Sequence, residues 1–478
     1  MTKRTLIEAT PSLIKEKAKV SGWVHARRDH GKLIFIDLRD RTGLLQIVFL
    51  PSSTAYEQAK KLRSEWVVSV SGTINERPEK MVNGDIATGK VELLAEEIEI
   101  LNESKTTPFE IDKDTRAVDE DLRLKYRYLD LRTERMAKNI TLRHEVIRFM
   151  REYLWKENFR EIETPYLTKS TPEGAREFVV PSRIYPGEFY VLPQSPQQFK
   201  QLLMVAGIER YFQIVRCFRD EDQRTDRQAE FTQLDIEMSF VSQEEIWELV
   251  EKMMIEMIKA ICPEKKIKET PFPRITYAKA MEKYQTDKPD LRQDKNDPNE
   301  LAFTWIVDMP MFKYSNTDKK LVSTHHLFTA PNKEDIKLLD SEPEKVRSYA
   351  YDLALNGFEI FGGSIRIHDR ELQKKIFDLL QIPADEAERR FGHILEAFEY
   401  GVPPHGGIAS GLDRVCTILS GEKVIREAMA FPKTGDARDL MMGAPSPITK
   451  KQLKDVHIEL AKEAKGRELE GQETETND

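Results

Sequence analysis

The segment FRDEDQRTDRQAEFTQLDIEMSF, Phe218–Phe240, joins a densely charged loop to a strictly alternating stretch. Its apolar positions are Leu234, Ile236, Met238 and Phe240, and its polar positions are Gln233, Asp235, Glu237 and Ser239. A period of two is typical of a strand with one apolar face. The preceding stretch Tyr211–Arg219 also favours a strand, so the sequence predicts a hairpin with a long charged tip.

Length and composition restrict the class of protein. A chain of 478 residues, 40% hydrophobic and 33% charged, is long enough for two or three domains with their own cores. No apolar run approaches the ~18–20 residues that a membrane span needs, so we expect no membrane partner. The three cysteines, Cys217, Cys262 and Cys416, are far apart, which favours a reducing compartment and a cytoplasmic location. Net charge is −8, but the first fifty residues carry ten Lys and Arg against five Asp and Glu.

Residues 1–105 are expected to form a small β domain. The candidate strands are Val20–His25, Leu33–Arg39, Leu44–Leu50, Trp66–Ile74 and Lys90–Leu101, with a helix over Ser53–Ser64. Five strands with a helix after the third predict a Greek-key barrel of the OB type. Phe35 falls on the polar face of its strand beside Asp37 and Arg39. It is either a platform on which a nucleic-acid base stacks or a lone exposed aromatic residue.

The rest of the chain mixes helices and strands without regular βαβ alternation, which predicts an α+β domain with a mainly antiparallel sheet. The periodicity favours helices over Ile140–Phe159, 241–262 and 370–400, and a short strand over Arg160–Thr164. We expect a linker at 106–135, a catalytic domain at 136–447, and a C-terminal helix with an acidic disordered tail at 448–478.

Several common catalytic signatures are absent: GxxxxGK[ST], GxGxxG after a strand, GxSxG and HExxH. Dense polar clusters occur instead, in STPEGAREF (170–178), LPQSPQQFK (192–200), STHHLFTAP (323–331), YDLALNGFEIFGGSIRI (351–367) and HGGIASGLDR (405–414). Each cluster alone has a structural explanation, such as turns, salt bridges or hydrogen-bonded histidines. Together they supply the cations Lys200, Arg219, Arg366 and Arg414 with the carboxylates Asp352 and Glu359. An anionic ligand with a divalent metal, such as ATP with Mg²⁺, satisfies both sets.

These segments resemble the class II aminoacyl-tRNA synthetases. FRDEDQRTDRQAEFTQLDIEM is similar to motif 2 of that family, GLDR (Gly411–Arg414) to motif 3, and Tyr126–Pro165 to motif 1. The details, including TPEGAREF, QSPQQFKQLLM and GWVHARRDHGKLIFIDLRDRTGLLQIVF, resemble the bacterial-type aspartyl-tRNA synthetases from about Ser21 to Pro447. The resemblance implies an antiparallel catalytic sheet flanked by helices, an N-terminal OB domain that binds the anticodon, and a homodimer. It also implies a two-step reaction, through aspartyl-adenylate to aspartyl-tRNA.

The resemblance assigns roles to individual residues. Arg219, Arg414 and Glu359 are the implied catalytic residues, and Asp352 with Glu359 the implied Mg²⁺ ligands. The implied aspartate-binding residues are Glu173, Ser195, Gln197, Lys200, Arg219, Gln233, Asp235, His325, His326 and Arg366. The implied ATP-binding residues are Arg219, Glu221, Gln228, Phe231, Glu359, Gly411, Leu412, Asp413 and Arg414. Phe231 is expected to stack under the adenine with Arg414 above it.

The tRNA partner follows from the same resemblance. The implied anticodon-binding residues are Arg28, His30, Phe35, Gln46 and Lys80, and this favours the base-stacking role of Phe35. Histidine rather than leucine at position 30 accompanies relaxed enzymes that charge both tRNA-Asp and tRNA-Asn. A relaxed enzyme is therefore our hypothesis, and the alternative is an enzyme restricted to tRNA-Asp.

The chain departs from the family pattern in three places. Arg292 is followed after about ten residues by Phe303, so the large domain usually inserted between motifs 2 and 3 is missing. Phe361 stands where a third glycine is usual and Ser410 where a larger apolar residue is usual, and either change was expected to alter the ATP pocket. A non-catalytic tRNA-binding paralogue would have lost its substrate arginines, and an ATP-dependent enzyme acting on a small amine would usually lack the OB domain.

Overall fold

The computed structural model describes residues 3–171 and 173–464, so the predicted acidic tail lies outside the described residues. The chain divides into two compact units. The first comprises the residues up to Asp119 together with Tyr128–Glu134, and the second comprises Glu120–Arg127 together with the residues from Arg135 onward. Within the described ranges, no helix is both long and apolar enough to cross a membrane.

The first unit contains a closed five-stranded barrel. Its strands are β1 (Lys17–His30), β2 (Leu33–Asp40), β3 (Gly43–Phe49), β4 (Val67–Glu76) and β5 (Val91–Asn102), in the order β1-β2-β3-β5-β4. Apolar side chains of all five strands alternate inward and form one buried core, as in Ile34, Ile36 and Leu38 of β2. All five predicted strands are present and the predicted OB-type barrel is confirmed.

The helix predicted over Ser53–Ser64 is only one turn long, α1 (Tyr56–Ala59). Before it, the Ser53 hydroxyl donates to Ala95 O at 2.8 Å and so ties this residue to β5. After it, Arg27 Nη1 donates to the carbonyls of Lys60 and Leu62 at 2.6 and 3.1 Å. Side chains from the barrel thus occupy the backbone carbonyls that a longer helix would use.

The helices that follow are α2 (Glu120–Lys125), α3 (Arg127–Asp130), α4 (Glu134–Lys156), α5 (Gln197–Val205), α6 (Gln243–Ile261), α7 (Tyr277–Tyr284), α8 (Arg370–Leu379), α9 (Ala384–Phe398), α10 (Leu412–Leu419) and α11 (Lys450–Asp455). Short 3₁₀ helices span Ile7–Ser12, Glu79–Met81, Thr115–Ala117, Lys333–Asp340, Pro343–Lys345, Ile425–Ala428 and Lys462–Ala464. The helical prediction over 370–400 corresponds to two helices, α8 and α9, which Pro383 separates because proline is not tolerated in a helix interior. Residues 106–135, expected as a linker, contain α2, α3 and the Thr115–Ala117 turn and contribute to both units.

The second unit is built on an eight-stranded sheet in the order β12-β14-β17-β18-β19-β10-β9-β6. Its strands are β6 (Arg160–Glu161), β9 (Arg210–Phe218), β10 (Glu230–Ser239), β12 (Arg274–Thr276), β14 (Phe303–Val307), β17 (Ala350–Leu355), β18 (Phe358–Ile365) and β19 (His405–Gly411). Two-stranded sheets pair β7 (Val179–Pro181) with β8 (Phe189–Val191), β11 (Lys266–Ile267) with β13 (Glu300–Leu301), and β15 (Phe312–Ser315) with β16 (Lys320–Ser323). The central strands are antiparallel as predicted, whereas the outermost pairs, β6 with β9 and β12 with β14, are parallel.

One face of this sheet carries the hydrophobic core. Apolar side chains of α4, α6 and α10 pack against Leu234 and Ile236 of β10, Leu353 of β17 and Phe361 of β18. Helix α6 starts at a capping box in which Ser242 and Glu245 satisfy each other's backbone amides, and it lays a row of buried methionines on the sheet. Phe240 does not continue the alternation, because the chain turns into a left-handed conformation there (φ 57°) and leaves the side chain 67% exposed. The opposite face is free to carry polar groups.

Candidate active site and anticodon-binding surface

The polar face of the sheet presents one register row that crosses four strands. Asp235 of β10 pairs with Ala409 of β19, Ala409 with Gly362 of β18, and Gly362 with Asp352 of β17. Register partners on neighbouring strands point to the same face of a sheet. The two carboxylates therefore mark the ends of a row whose middle positions carry almost no side chain.

Four ionisable side chains form a buried network near the Asp235 end of the row. Lys200 Nζ lies 2.5 Å from Asp235 Oδ1 and 3.3 Å from Glu237 Oε2. Arg366 donates to both oxygens of Glu237, at 3.0 and 3.2 Å, and to the Ser364 hydroxyl at 2.6 Å. Burial opposes the ionisation of Glu237, but Arg366 and Lys200 hold its pKa below the usual value. The Arg366–Glu237 pair is therefore ionised in the interior.

Glu237 is a site residue that the sequence reasoning did not assign, although it lies in the predicted polar row. It is fully buried and its carboxylate lies beside Gly407 of β19. A Cβ atom at position 407 would be 1.9 Å from Glu237 Oε2, so only glycine allows this approach. The alternation of β10 combined with the HGG sequence was the available signal.

Asp235 has one carboxylate oxygen to spare. Oδ1 accepts from Lys200, whereas the buried Oδ2 has no hydrogen-bond partner within residues 3–171 and 173–464. Burial raises the pKa of Asp235, and Lys200 opposes that rise. A buried acceptor without a partner costs free energy unless a ligand completes it. An ammonium group supplies the missing donor.

Glu173 and its neighbours close over this network from the segment before α5. The Ser195 hydroxyl donates to Glu173 Oε2 at 2.5 Å, and burial raises the pKa of Glu173 to about 7. Gln194 holds the loop by bonding both the amide and the carbonyl of Ala175, each at 3.0 Å. Gln197 lies on α5 one turn before Lys200, and its Nε2 donates to Gln201 Oε1 at 3.0 Å. The structure therefore brings Glu173, Ser195, Gln197, Lys200 and Asp235 together as predicted.

The two predicted histidines lie in the same neighbourhood with different contacts. His325 Nδ1 is 3.2 Å from the Thr329 hydroxyl, which is 3.2 Å from the Ser364 hydroxyl beside Arg366. His326 stacks on Phe328 and its Nδ1 accepts from the Phe328 amide at 3.2 Å. Burial and the nearby Arg366 keep the pKa of His326 well below its usual value. His325 is connected to the arginine, and His326 is a neutral residue of the loop.

Beside the Asp235 network, a cavity of about 220 Å³ adjoins Gln233 on the same face of the sheet. The predicted residues that line it are Arg219, Glu221, Gln228, Phe231, Gln233, Glu359, Gly411, Asp413 and Arg414. Leu412 is a correction, because its side chain is fully buried in the hydrophobic core on the other face. Asp413 stabilises the wall of the cavity, because its carboxylate accepts hydrogen bonds from Arg143 Nη1 at 2.6 Å and from the Thr232 amide at 2.9 Å.

Cationic and aromatic groups furnish this cavity. The Arg219 guanidinium lies 5.0 Å from the centre of the Phe231 ring, close enough for a cation–π contact. Arg414 donates to Glu359 O at 2.8 Å and to Asp226 Oδ2 at 3.2 Å, so a bound anion competes with these contacts. Gln228 Oε1 accepts from the Lys433 amide, and its buried Nε2 has no partner among the described residues. The cavity thus offers an aromatic face, an amide donor and two arginines.

Asp352 and Glu359 meet the requirements of a Mg²⁺ site that is completed by a ligand. A Cβ atom at Gly362 would lie 2.9 Å from Asp352 Oδ1 and 3.2 Å from Glu359 Oε1, so both carboxylates converge over this glycine. Burial and the adjacent charge of Glu359 raise the pKa of Asp352, as expected for two carboxylates without a cation. The described residues contain no cluster of three His, Cys, Asp or Glu ligands. Mg²⁺ typically binds one or two carboxylates together with substrate phosphates.

The outer face of the barrel carries four of the predicted anticodon residues. Arg28 of β1 pairs with Phe35 of β2, and its guanidinium lies 2.5 and 2.8 Å from the two oxygens of Asp37. The edge of His30 meets the Phe35 ring, with centroids 5.9 Å apart and planes at 81°. Gln46 of β3 donates to Glu92 at 2.7 Å. A half-exposed aromatic ring among polar side chains suits single-stranded nucleic acid.

Lys80, the fifth of these residues, is exposed on the 3₁₀ turn Glu79–Met81 between β4 and β5.

Comparison with known proteins assigns the family. A model described as tRNA synthetases class II (D, K and N) matches residues 119–435, and one described as an OB-fold nucleic acid binding domain matches residues 18–101. The chain belongs to the class II tRNA synthetases. The fold and the family expected from the sequence are therefore confirmed.

Individual relatives agree with the family model. The synthetase is 43% identical to the aspartate–tRNA(Asp/Asn) ligase of Rubrobacter xylanophilus, over 95% of this chain and 96% of the relative. It is 42% identical to the aspartate–tRNA ligase of Geobacillus kaustophilus, over 94% and 97% of the two chains. A crystal structure of asparaginyl-tRNA synthetase from Pyrococcus horikoshii with asparaginyl-adenylate matches with a TM-score of 0.72 at 23% identity, covering 91% of this chain and 99% of that one.

The alignment with the Rubrobacter relative also bears on chain length. It runs over 577 positions, whereas 95% of the 478 residues of this synthetase is about 454, so about 120 positions have no counterpart here. A difference of that size agrees with the loss of a whole inserted domain. In the structure, the segment from Arg292 to Phe303 consists of turns followed by the two-residue strand β13, and β14 begins at Phe303.

Proposed function

We propose that this synthetase attaches L-aspartate to tRNA in two steps, through aspartyl-adenylate. The observation that supports this most is the pocket around Asp235, where an acceptor without a partner lies beside two buried cations, Lys200 and Arg366. The acceptor suits an α-ammonium and the cations suit a side-chain carboxylate. The names of the Rubrobacter and Geobacillus relatives support the same amino acid.

In the first step, the α-carboxylate of aspartate attacks the α-phosphorus of ATP. A carboxylate oxygen–phosphorus bond forms, the bond to the bridging oxygen breaks, and pyrophosphate leaves. No protein nucleophile is needed, so the chain contributes orientation and charge neutralisation. We assign Arg219 to both the α-carboxylate and the α-phosphate; its charge acts on Glu173, and its guanidinium lies 5.0 Å from the centre of the Phe231 ring. Its planar fork suits two oxygens at once.

Phe231, Gln228 and Arg414 hold the nucleotide. The adenine stacks on Phe231, the free Nε2 of Gln228 donates to a ring nitrogen, and Arg414 exchanges Asp226 for the terminal phosphates. Asp352 and Glu359 would hold Mg²⁺, which when bound offsets phosphate charge. In the second step, the terminal hydroxyl of the tRNA attacks the adenylate carbonyl carbon and AMP leaves.

Charge balance supports aspartate over asparagine. Lys200, Arg366 and Arg219 are three cations, and Asp235 with Glu237 offsets two of them. The net negative charge of the aspartate zwitterion matches the third. Asparagine would leave one buried cation unmatched, which costs on the order of several kcal/mol.

Aspartate-dependent exchange of pyrophosphate into ATP tests the first step without tRNA. We expect exchange with L-aspartate and about a thousandfold less with L-asparagine. Lack of exchange with any amino acid would instead favour a non-catalytic tRNA-binding paralogue. The retained arginines Arg219, Arg366 and Arg414 argue against that alternative.

We further propose that both tRNA-Asp and tRNA-Asn are charged. His30 at the edge of the Phe35 platform supports this, as does the printed name of the Rubrobacter relative. The Geobacillus relative is named an aspartate–tRNA ligase, which favours the restricted alternative. Measuring the rate of aspartylation of purified tRNA-Asp and purified tRNA-Asn decides between the two alternatives. Comparable rates are expected, whereas negligible formation of aspartyl-tRNA-Asn would show that the enzyme is restricted to tRNA-Asp.

The assembly belongs to the same proposal: a cytoplasmic homodimer formed around motif 1, with the OB domain at 1–105, a linker at 106–135, the catalytic domain at 136–447 and a C-terminal segment at 448–478. Exposed apolar side chains in and just after motif 1 support a partner surface: Trp155 within the motif is 53% exposed, and Leu167, two residues beyond it, is 54% exposed. Light scattering coupled to gel filtration is expected to give twice the 55.5 kDa chain mass.

A further inference from the structure

A series of hydrogen bonds runs from Gln197, one of the predicted aspartate-binding residues, to the backbone just before β19. Gln197 Nε2 donates to Gln201 Oε1 at 3.0 Å, one turn later on α5. Gln201 Nε2 lies 3.0 Å from His405 Nε2, and His405 Nδ1 lies 2.8 Å from Pro403 O. Gln197 is 6% exposed, and Gln201 and His405 are fully buried. Water therefore does not compete for these hydrogen bonds.

The hydrogen bond between His405 and Pro403 O determines which atoms donate and which accept along the whole series. A backbone carbonyl can only accept, so His405 Nδ1 must carry the proton that Pro403 O receives. Burial lowers the pKa of His405 to about 4, so the ring is neutral and its Nε2 is an acceptor. Gln201 must therefore turn its NH₂ group to His405 and its oxygen to Gln197. Gln197 must in turn donate from its NH₂ group to Gln201 Oε1.

We propose that His405 and Gln201 are positioning residues for the amino-acid substrate, because they compel Gln197 to present its carbonyl oxygen to the pocket. This inference rests on the proposed binding of the aspartate ammonium. The hydrogen bond that Gln197 makes among the described residues uses its Nε2, which leaves Oε1 for a ligand. The reverse orientation of the amide would aim an NH₂ group at the ammonium and remove an acceptor. Gln197 Oε1 and Asp235 Oδ2 then act as two acceptors for one ammonium.

The test separates the direction of the amide from general support of the fold. His405→Phe keeps a ring against Phe398 but has no acceptor for Gln201, so the amides become free to turn. We expect its KM for aspartate in pyrophosphate exchange to rise about tenfold, while kcat and the KM for ATP change less than about twofold. A merely structural role would instead lower kcat or raise both KM values.

A matched pair at position 201 gives a second measurement in case His405→Phe does not fold. Gln201→Glu has only oxygens to offer, so it still accepts from Gln197 Nε2, and it accepts from His405 Nε2 once that nitrogen takes up a proton. We expect its KM for aspartate to stay within about threefold of the wild type. Gln201→Met offers no acceptor and is expected to raise that KM about tenfold.

An unchanged KM for aspartate in His405→Phe or Gln201→Met overturns the proposal, and so does a Gln201→Glu variant as impaired as Gln201→Met. The wild-type protein keeps the two hypotheses apart. If it shows no aspartate-dependent exchange, the proposed function fails. If it exchanges normally and the variants behave like it, only the role of His405 and Gln201 fails.

Discussion

Phe361 of β18 and Ser410 of β19 are register partners on the core face of the catalytic sheet. These are the two positions at which the sequence departs from the family pattern, and they face each other directly. The resemblance implies a glycine at position 361 and a larger apolar residue at position 410 in other members, so we expect the Phe361 ring to fill the volume that Ser410 leaves empty. Both residues are buried, and neither side chain lines the cavity formed by Phe231 and Arg414, so an effect of either change on the ATP pocket would have to be indirect.

Phe361→Gly is therefore expected to destabilise the protein by about 3–5 kcal/mol, because it removes a ring from a closed core. Ser410→Phe in the wild-type background should cost about 1–3 kcal/mol through overpacking. The double variant should recover about 1–3 kcal/mol relative to the sum of the single effects. Thermal unfolding midpoints of the four proteins measure this coupling, and strictly additive effects would contradict the exchange of volume. The KM for ATP should stay near the wild-type value wherever the variant folds.

Glu237→Gln should strongly reduce aspartate activation. The carboxylate holds Arg366 with two hydrogen bonds and faces Lys200, so its loss leaves buried cations without a partner. Removing one member of a buried pair costs about 3–5 kcal/mol. Pyrophosphate exchange and thermal unfolding should both report a loss.

Glu248→Gln is the matched control, because Glu248 pairs with Lys252 on the exposed side of α6, where water and salt screen the pair and it contributes little to stability. Equal behaviour of the two variants would show that the buried network has no special role.

Phe35→Ala should weaken tRNA aminoacylation by about 1–3 kcal/mol, the usual contribution of one base stacked on an aromatic ring. Pyrophosphate exchange needs no anticodon and should remain near normal. The barrel tolerates the change because the Phe35 ring lies outside the core and meets His30 only at its edge. Loss of both activities would argue against an anticodon role for this residue.

Glu173 should make stability depend on pH. Its pKa of about 7 in the folded protein exceeds the ordinary value of 4.5, because burial disfavours the charge. The stability that it contributes is thus complete below about pH 4.5 and is lost as the pH rises through about 7. Relative to Glu173→Gln, the wild type should lose roughly 1–3 kcal/mol over that interval. Parallel melting curves of the two proteins between about pH 5 and pH 8 would exclude the effect.

The strands and the polar row could be predicted from periodicity alone, because a period of two depends only on neighbouring residues. The partners of that row could not. Glu237 pairs with an arginine 129 positions away in the chain, and Gln197 depends on His405 through a residue with no chemical signature of its own. The length of α1 was also unpredictable, since Arg27 of another strand takes its carbonyls. Local pattern determines the elements, whereas long-range contacts determine which side chains become functional.

The row that runs from Asp235 through Ala409 and Gly362 to Asp352 also fixes the distance between its two carboxylate residues. Three gaps between neighbouring strands, each about 4.8 Å, separate its two carboxylates by roughly 14 Å. Backbone hydrogen bonds between the strands, rather than flexible side chains, fix the positions of the two carboxylate residues. The residues between them, Ala409 and Gly362, carry almost no side chain. In the proposed reaction, a substrate anchored at Asp235 and a Mg²⁺ held at Asp352 would meet over Ala409 and Gly362, so the spacing of the strands would determine where the new bond forms.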